Sequence, residues 1–68
     1  MAEIKQLNTV ALLRDMPDYN LSKGQVGTVV EKLNKGIFEI EFTNSLGETI
    51  LTTPLSARDL ILLRFEPA

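Results

Sequence analysis

At 68 residues, with 7 Lys+Arg against 9 Asp+Glu and 44% hydrophobic content, the chain is one small globular domain with a thin core, too apolar for disorder. It has no Cys, His or Trp, which excludes disulfides, thiolate or imidazole metal ligands and every nucleophile pair built on imidazole. The net charge of -2 hides no basic segment in any third of the chain and argues against nucleic-acid binding, which needs clustered Lys and Arg to displace counterions.

Residues 1–8 are polar with isolated Ile4 and Leu7 and read as a lead-in. Thr9-Val10-Ala11-Leu12-Leu13 is too short for a stable helix and reads as a first strand. Arg14 to Ser22 carries Asp15, Pro17, Asp18 and Asn20, the chemistry of a loop. Gly24 reads as a left-handed turn residue, and Gly27 as a position where a side chain would crowd the backbone.

The β-branched run Gly27 to Leu33 reads as a second strand, and Asn34-Lys35-Gly36 as a hairpin turn. Ile37 to Thr43 alternates, with Phe38, Ile40 and Phe42 on one side and Glu39, Glu41 and Thr43 on the other, as a strand with one wet face does. After a turn at Asn44-Ser45-Leu46-Gly47, Glu48 to Leu55 reads as a fourth strand ended by Pro54. Ser56 with Asp59 three positions on marks one short helical turn. Leu60 to Phe65 reads as a closing strand, with a C-terminal helix from Ser56 as its rival. Five short strands at even spacing predict an all-β fold, a small five-stranded antiparallel barrel over residues 9–65 with a tail at 66–68.

Two strands break the pattern. Val10 to Leu13 and Leu60 to Leu63 are apolar at every position, whereas a strand with one wet face alternates. If Val10 and Leu12 face the core, Ala11 and Leu13 face outward, as does one of the pairs Leu60/Leu62 and Ile61/Leu63. Where the first and last strands are neighbours, this leaves an apolar patch of the size that marks interaction surfaces. The alternative is that the termini cover it, with Ile4 and Leu7 as the cover.

The order of strand, long loop, Leu21-x-x-Gly24-x-x-Gly27-Thr28-Val29, meander, helical turn and last strand resembles an SH3-like barrel. In such a barrel the first and last strands lie side by side. More narrowly, Asp15-x-Pro17-x-Tyr19-x-Leu21, the glycine pair with Thr28-Val29-Val30-Glu31, then Phe38-Glu39-Ile40-Glu41-Phe42, Gly47-x-Thr49 and Asp59-Leu60 are similar to a family of short bacterial proteins, frequent in cyanobacteria. That family is a DUF4926-like domain of unknown function, and the likeness runs from about Thr9 to Leu63. Peptide-binding SH3 domains pair an aromatic loop with a tryptophan. Tyr19 and Pro54 echo them, but the missing Trp removes the groove for polyproline. The KOW modules share the span from Gly24 to Val29 but add basic residues, from which this acidic chain departs.

Glu39 and Glu41 read as a solvated barrel exterior rather than a metal or acid–base pair. Tyr19 is either a binding tip or a seal folded back over the barrel mouth. The expected function is a non-catalytic protein–protein interaction module, an accessory subunit or the small partner of a bacterial gene pair, with no catalytic residue, metal or cofactor. Its expected contact residues are Leu13, Tyr19, Ile61, Leu63 and Phe65, toward a protein partner or a second copy. The alternative is a KOW-like nucleic-acid-binding module using Arg14, Lys23, Lys32 and Lys35. No apolar run exceeds Leu60–Leu63 and no secretory signal is visible at the N-terminus, so no membrane span and a cytoplasmic location are expected.

Overall fold

In the computed structural model, which describes residues 3–64, strands form wherever β-branched and apolar residues recur between turn residues. They are β1 (Thr9–Leu12), β2 (Val26–Asn34), β3 (Ile37–Thr43), β4 (Thr49–Ser56) and β5 (Leu60–Leu62). All pair antiparallel in one sheet of order β4-β3-β2-β1-β5, coiled into an SH3-like barrel. Leu60 to Leu62 is a strand, so the helix from Ser56 does not form. In its place a single 3-10 turn, Ala57–Asp59, precedes β5, and the Ser56 hydroxyl caps it by accepting from the Arg58 N–H at 3.4 Å.

The core follows the alternation. Phe38, Ile40 and Phe42 of β3 point inward with Val10, Leu12, Val29, Leu55 and Leu60. Gly27 is required where β2 passes beneath β3: a Cβ there would lie 2.7 Å from Ile40 Cγ2 and 3.0 Å from Phe42 Cδ1. Gly24 serves a different need, taking a φ of 87° in the turn before β2.

The long loop is more ordered than its composition predicts. Met16 and Leu21 exchange backbone hydrogen bonds, Met16 N–H to Leu21 O at 2.9 Å and Leu21 N–H to Met16 O at 3.1 Å, and both side chains join the core. A second 3-10 turn, Pro17–Tyr19, closes this small hairpin, and Asn20 leaves it with a φ of 59°. The sequence pattern carried no signal for that pairing beyond two isolated apolar residues among turn formers.

Pro54 corrects the sequence reading. It does not end the fourth strand but lies inside it, opposite Glu39, and β4 continues to Ser56. The hydrogen bond from Ala57 N–H to Gly36 O, 2.8 Å, sets the phase of the β3–β4 ladder. By that phase the Pro54 nitrogen faces the free side of an edge strand, where no ladder bond needs it.

Candidate functional site

Strand β1 is held between β2 and β5, and the registers line up its outward side chains with theirs. Ala11 is opposite Val26 on one side and Ile61 on the other. Directly paired residues point to the same face, so Val26, Ala11 and Ile61 form an apolar row across three strands on the outer surface. Val26 is 47% exposed and Ile61 49%, while Ala11 at 8% is screened by the two larger neighbours. Leu13, just beyond β1, is 45% exposed and donates its N–H to Asp59 O at 2.9 Å, which sets it diagonal to Ile61. Leu63 is half-buried and continues the β5 register by donating to Thr9 O at 2.9 Å. The outer face is thus apolar over β5, β1 and the start of β2. Farther across the sheet it turns polar, through Thr28, Glu41 and Thr52.

Of the expected contact residues, Leu13, Ile61 and Leu63 therefore come together on one face. Ala11 does not belong to the exposed set, because a small side chain between two larger ones is covered without leaving the outer surface. Tyr19, 46% exposed, lies apart: it lines a shallow groove of about 250 Å³ with Met16, Pro17 and Pro54. Phe65 lies outside the described residues. Val26 is a member of the row that sequence reasoning missed, since the second strand was started at Gly27. The alternation of Val26, Thr28 and Val30 carried that signal.

The cover suggested for this face divides. Ile4 is half-buried and packs against the core at the barrel mouth, whereas Leu7 is 76% exposed and covers nothing. Leu7 holds a φ of 72°, with Asn8 beside it opposite Val29 in a bulge: Leu7 N–H donates to Val29 O at 2.7 Å and Val29 N–H to Asn8 O at 2.9 Å. The covering role proposed for residues 66–68 lies outside the described residues.

The charged candidates separate as well. Arg14 Nε donates to Asp59 Oδ1 at 2.8 Å, beside the groove that holds Tyr19. The Arg14 hydrogen bond and charge hold the Asp59 carboxyl below its ordinary range, and Asp59 in turn raises Arg14. Lys32 lines a second and larger groove, of about 640 Å³, together with Arg58. Arg14 and Lys32 therefore flank different grooves rather than one basic face. Glu39 stands on the outer surface directly opposite Glu31, and Glu41 accepts from Thr49 Oγ1 at 2.8 Å. Among the described residues no three His, Cys, Asp or Glu side chains converge as a metal site, and no helix is long and apolar enough to cross a membrane.

Barrel, bulged strands and 3-10 turns define a small all-β domain of the SH3-like kind, a scaffold that by itself fixes no activity. The sequence profile described as "Domain of unknown function (DUF4926)" matches residues 6–62, and the chain belongs to that family. Searches of curated proteins and of solved structures found no match.

Proposed function

We propose that this domain is a non-catalytic protein–protein interaction module, a bacterial and cytoplasmic accessory subunit or the small partner in a gene pair. The observation that carries this reading is the row Val26–Ala11–Ile61 with Leu13 and Leu63 beside it, a contiguous apolar stretch on the outer face of the sheet. A wet sheet face normally alternates its apolar residues inward, and a contiguous apolar patch on it marks a contact surface. The chain has no Cys and so no disulfide staple, which fits a reducing cytosol.

The experiment compares the wild-type chain with Leu13→Asp and Ile61→Asp variants, the fold of each read first by circular dichroism. Each is used to capture partners from a host extract and is run in sedimentation at several concentrations. A partner, or a self-associated species, present with wild type and lost with both variants supports the reading. Equal capture by all three chains, or variants that unfold outright, would overturn it, the latter because those side chains would then be core.

A further inference from the structure

The larger groove opens at the mouth of the barrel, between the end of the β2–β3 hairpin and the outer side of β5. Its floor is Ile4, Phe38, Leu60 and Leu62, and its rim carries Lys32 and Arg58 against a single carboxylate, Glu3. Its volume of about 640 Å³ falls among sites that hold small ligands or short peptide segments. Among the described residues the Arg14–Asp59 pair is the one ion pair within 4.0 Å, so neither Lys32 nor Arg58 is neutralised there. A chain of net charge -2 therefore places two cations at the rim of an apolar groove.

The backbone beside that groove is also open. Leu63 N–H donates to Thr9 O and Leu13 N–H to Asp59 O, which places the ladder bonds of β5 at Asp59, Ile61 and Leu63. The N–H of Leu62 and the carbonyls of Leu60 and Leu62 consequently point away from β1, on the free side of the strand. The Leu60 N–H is already used, donating to Ala57 O within the 3-10 turn. A strand edge unpaired among the described residues, bordering an apolar floor and a cationic rim, has the parts that strand addition uses: a main-chain donor and two acceptors for affinity, a floor for alternate side chains, and charges for selection.

We infer that β5 adds an extended peptide strand of alternating apolar and acidic residues, whose apolar side chains enter the groove while its carboxylates meet Lys32 and Arg58. This rests on the reading of the domain as a docking module and names the chemistry of its partner. It uses the free edge of β5; Ile61 borders this groove as well as the outer face, whereas Leu13 belongs to the outer face alone.

The test is titration of the ¹⁵N-labelled full chain with a blocked peptide alternating valine and glutamate, and with its valine and lysine counterpart. The acidic peptide is expected to saturate at about 0.1–1 mM, shifting the amides of Lys32, Phe38 and Leu60 to Leu62 and slowing exchange of the Leu62 N–H. The Lys32→Glu/Arg58→Glu double variant, altered only at exposed side chains, should weaken it by about tenfold or more. Leu62→Pro removes the edge donor without touching a β1–β5 bond and should abolish the shifts while the fold signal persists. No saturation, equal binding of the lysine peptide, or shifts centred on Tyr19 and Leu55 would each overturn the inference. So would a Leu62 amide already protected in the free chain, which means a second copy if the chain sediments as a dimer and its own terminal segment if it is a monomer. If the peptide fails while Leu13→Asp, which lies outside the groove, still abolishes partner capture, the strand-addition inference falls alone. If the peptide binds and Leu13→Asp captures normally, the outer-face reading falls alone.

Discussion

Ala11 and Ile61 stand directly opposite one another on β1 and β5 with their side chains on the same outer face, yet Ala11 is 8% exposed and Ile61 49%. The difference is size and flanking, since Ala11 lies in the shadow of Val26 and Ile61 while Ile61 has a neighbour on one side only. Outward position and solvent exposure are therefore separate properties on a narrow, coiled sheet, and only the larger side chains of the row offer surface to another molecule.

Ile61→Asp and Leu13→Asp should leave the fold intact, each costing about 1 kcal/mol or less, because both side chains are half in water already. Leu12→Ala, at a position 2% exposed, should cost about 2–5 kcal/mol. A domain of 68 residues has only about 3–10 kcal/mol in hand, so the urea midpoint of Leu12→Ala should fall steeply while those of the two surface variants stay near wild type.

The two glycines before and within β2 should respond differently to substitution. A Cβ on Gly27 meets Ile40 and Phe42, both at 0% exposure and without room to retreat, so Gly27→Ala should destabilise by about 1–3 kcal/mol. Gly24 has nothing within 4 Å and only its φ of 87° to defend. Gly24→Asn should therefore recover most of what Gly24→Ala loses, as thermal melts of the three variants would show. No comparable replacement exists at position 27.

Leu7 pairs a left-handed backbone with a side chain 76% exposed, a costly conformation that gains nothing from burial. Leu7→Gly or Leu7→Asn should stabilise the chain by about 0.5–1 kcal/mol, the relief of the left-handed strain less the added freedom of the unfolded chain. Chemical denaturation reads this directly. A loss of stability instead would mean that the leucine side chain packs against something in solution.

Asp59 sets an acid limb. Its carboxyl is held below the ordinary value by the Arg14 hydrogen bond, so the ion pair contributes stability that is complete above the unfolded-state pKa of about 3.9 and is lost as pH falls through the folded-state value. Asp59→Asn and Arg14→Leu should both flatten the dependence of stability on pH below about 4 and change it little near neutrality. The effect is small, since the Arg14 side chain is 63% exposed and the pair is screened by solvent and salt. Melts at pH 3 and pH 7, each at low and high salt, check the sign: the variants should lose a little stability at pH 7 and less at pH 3, and a larger loss in acid than at neutral pH would contradict it.

The parts of the fold legible in the sequence were those where a wet face forces alternation. Strand β3 runs from Ile37 to Thr43 as its period-two pattern requires, and the turn glycines bracket it. Strand β5 could not be separated from a helix by pattern alone, because Leu60 to Leu63 is apolar at every position. What decides it is pairing with β1, a contact some fifty residues away in sequence. Pro54 was misread for a related reason: a proline stops a strand only where its nitrogen faces a partner, and that depends on ladder phase. Met16 and Leu21 were left in a loop because two lone apolar residues among turn formers give no period, although their backbones pair across the 3-10 turn. The outer-face leucines were legible as a surplus. Val26 was legible in the alternation with Thr28 and Val30, but the groove between Lys32, Phe38 and Leu60 was not, since it exists only once the sheet has coiled.

The position of Pro54 bears on how many molecules can join. Open-ended growth by strand addition needs a receptive rim at both extremes of the sheet, so that each newcomer presents a fresh docking edge to the next. Here one extreme is chemically blunted: β4 has no donor at Pro54 on its free side and kinks where its register slips between Phe42 and Thr43. If β5 takes a strand as inferred, the two extremes of the sheet differ in what they offer, with Pro54 removing a donor from the β4 side. Addition at β5 would then hinder onward growth from β4, which works against a small barrel seeding fibrils of itself.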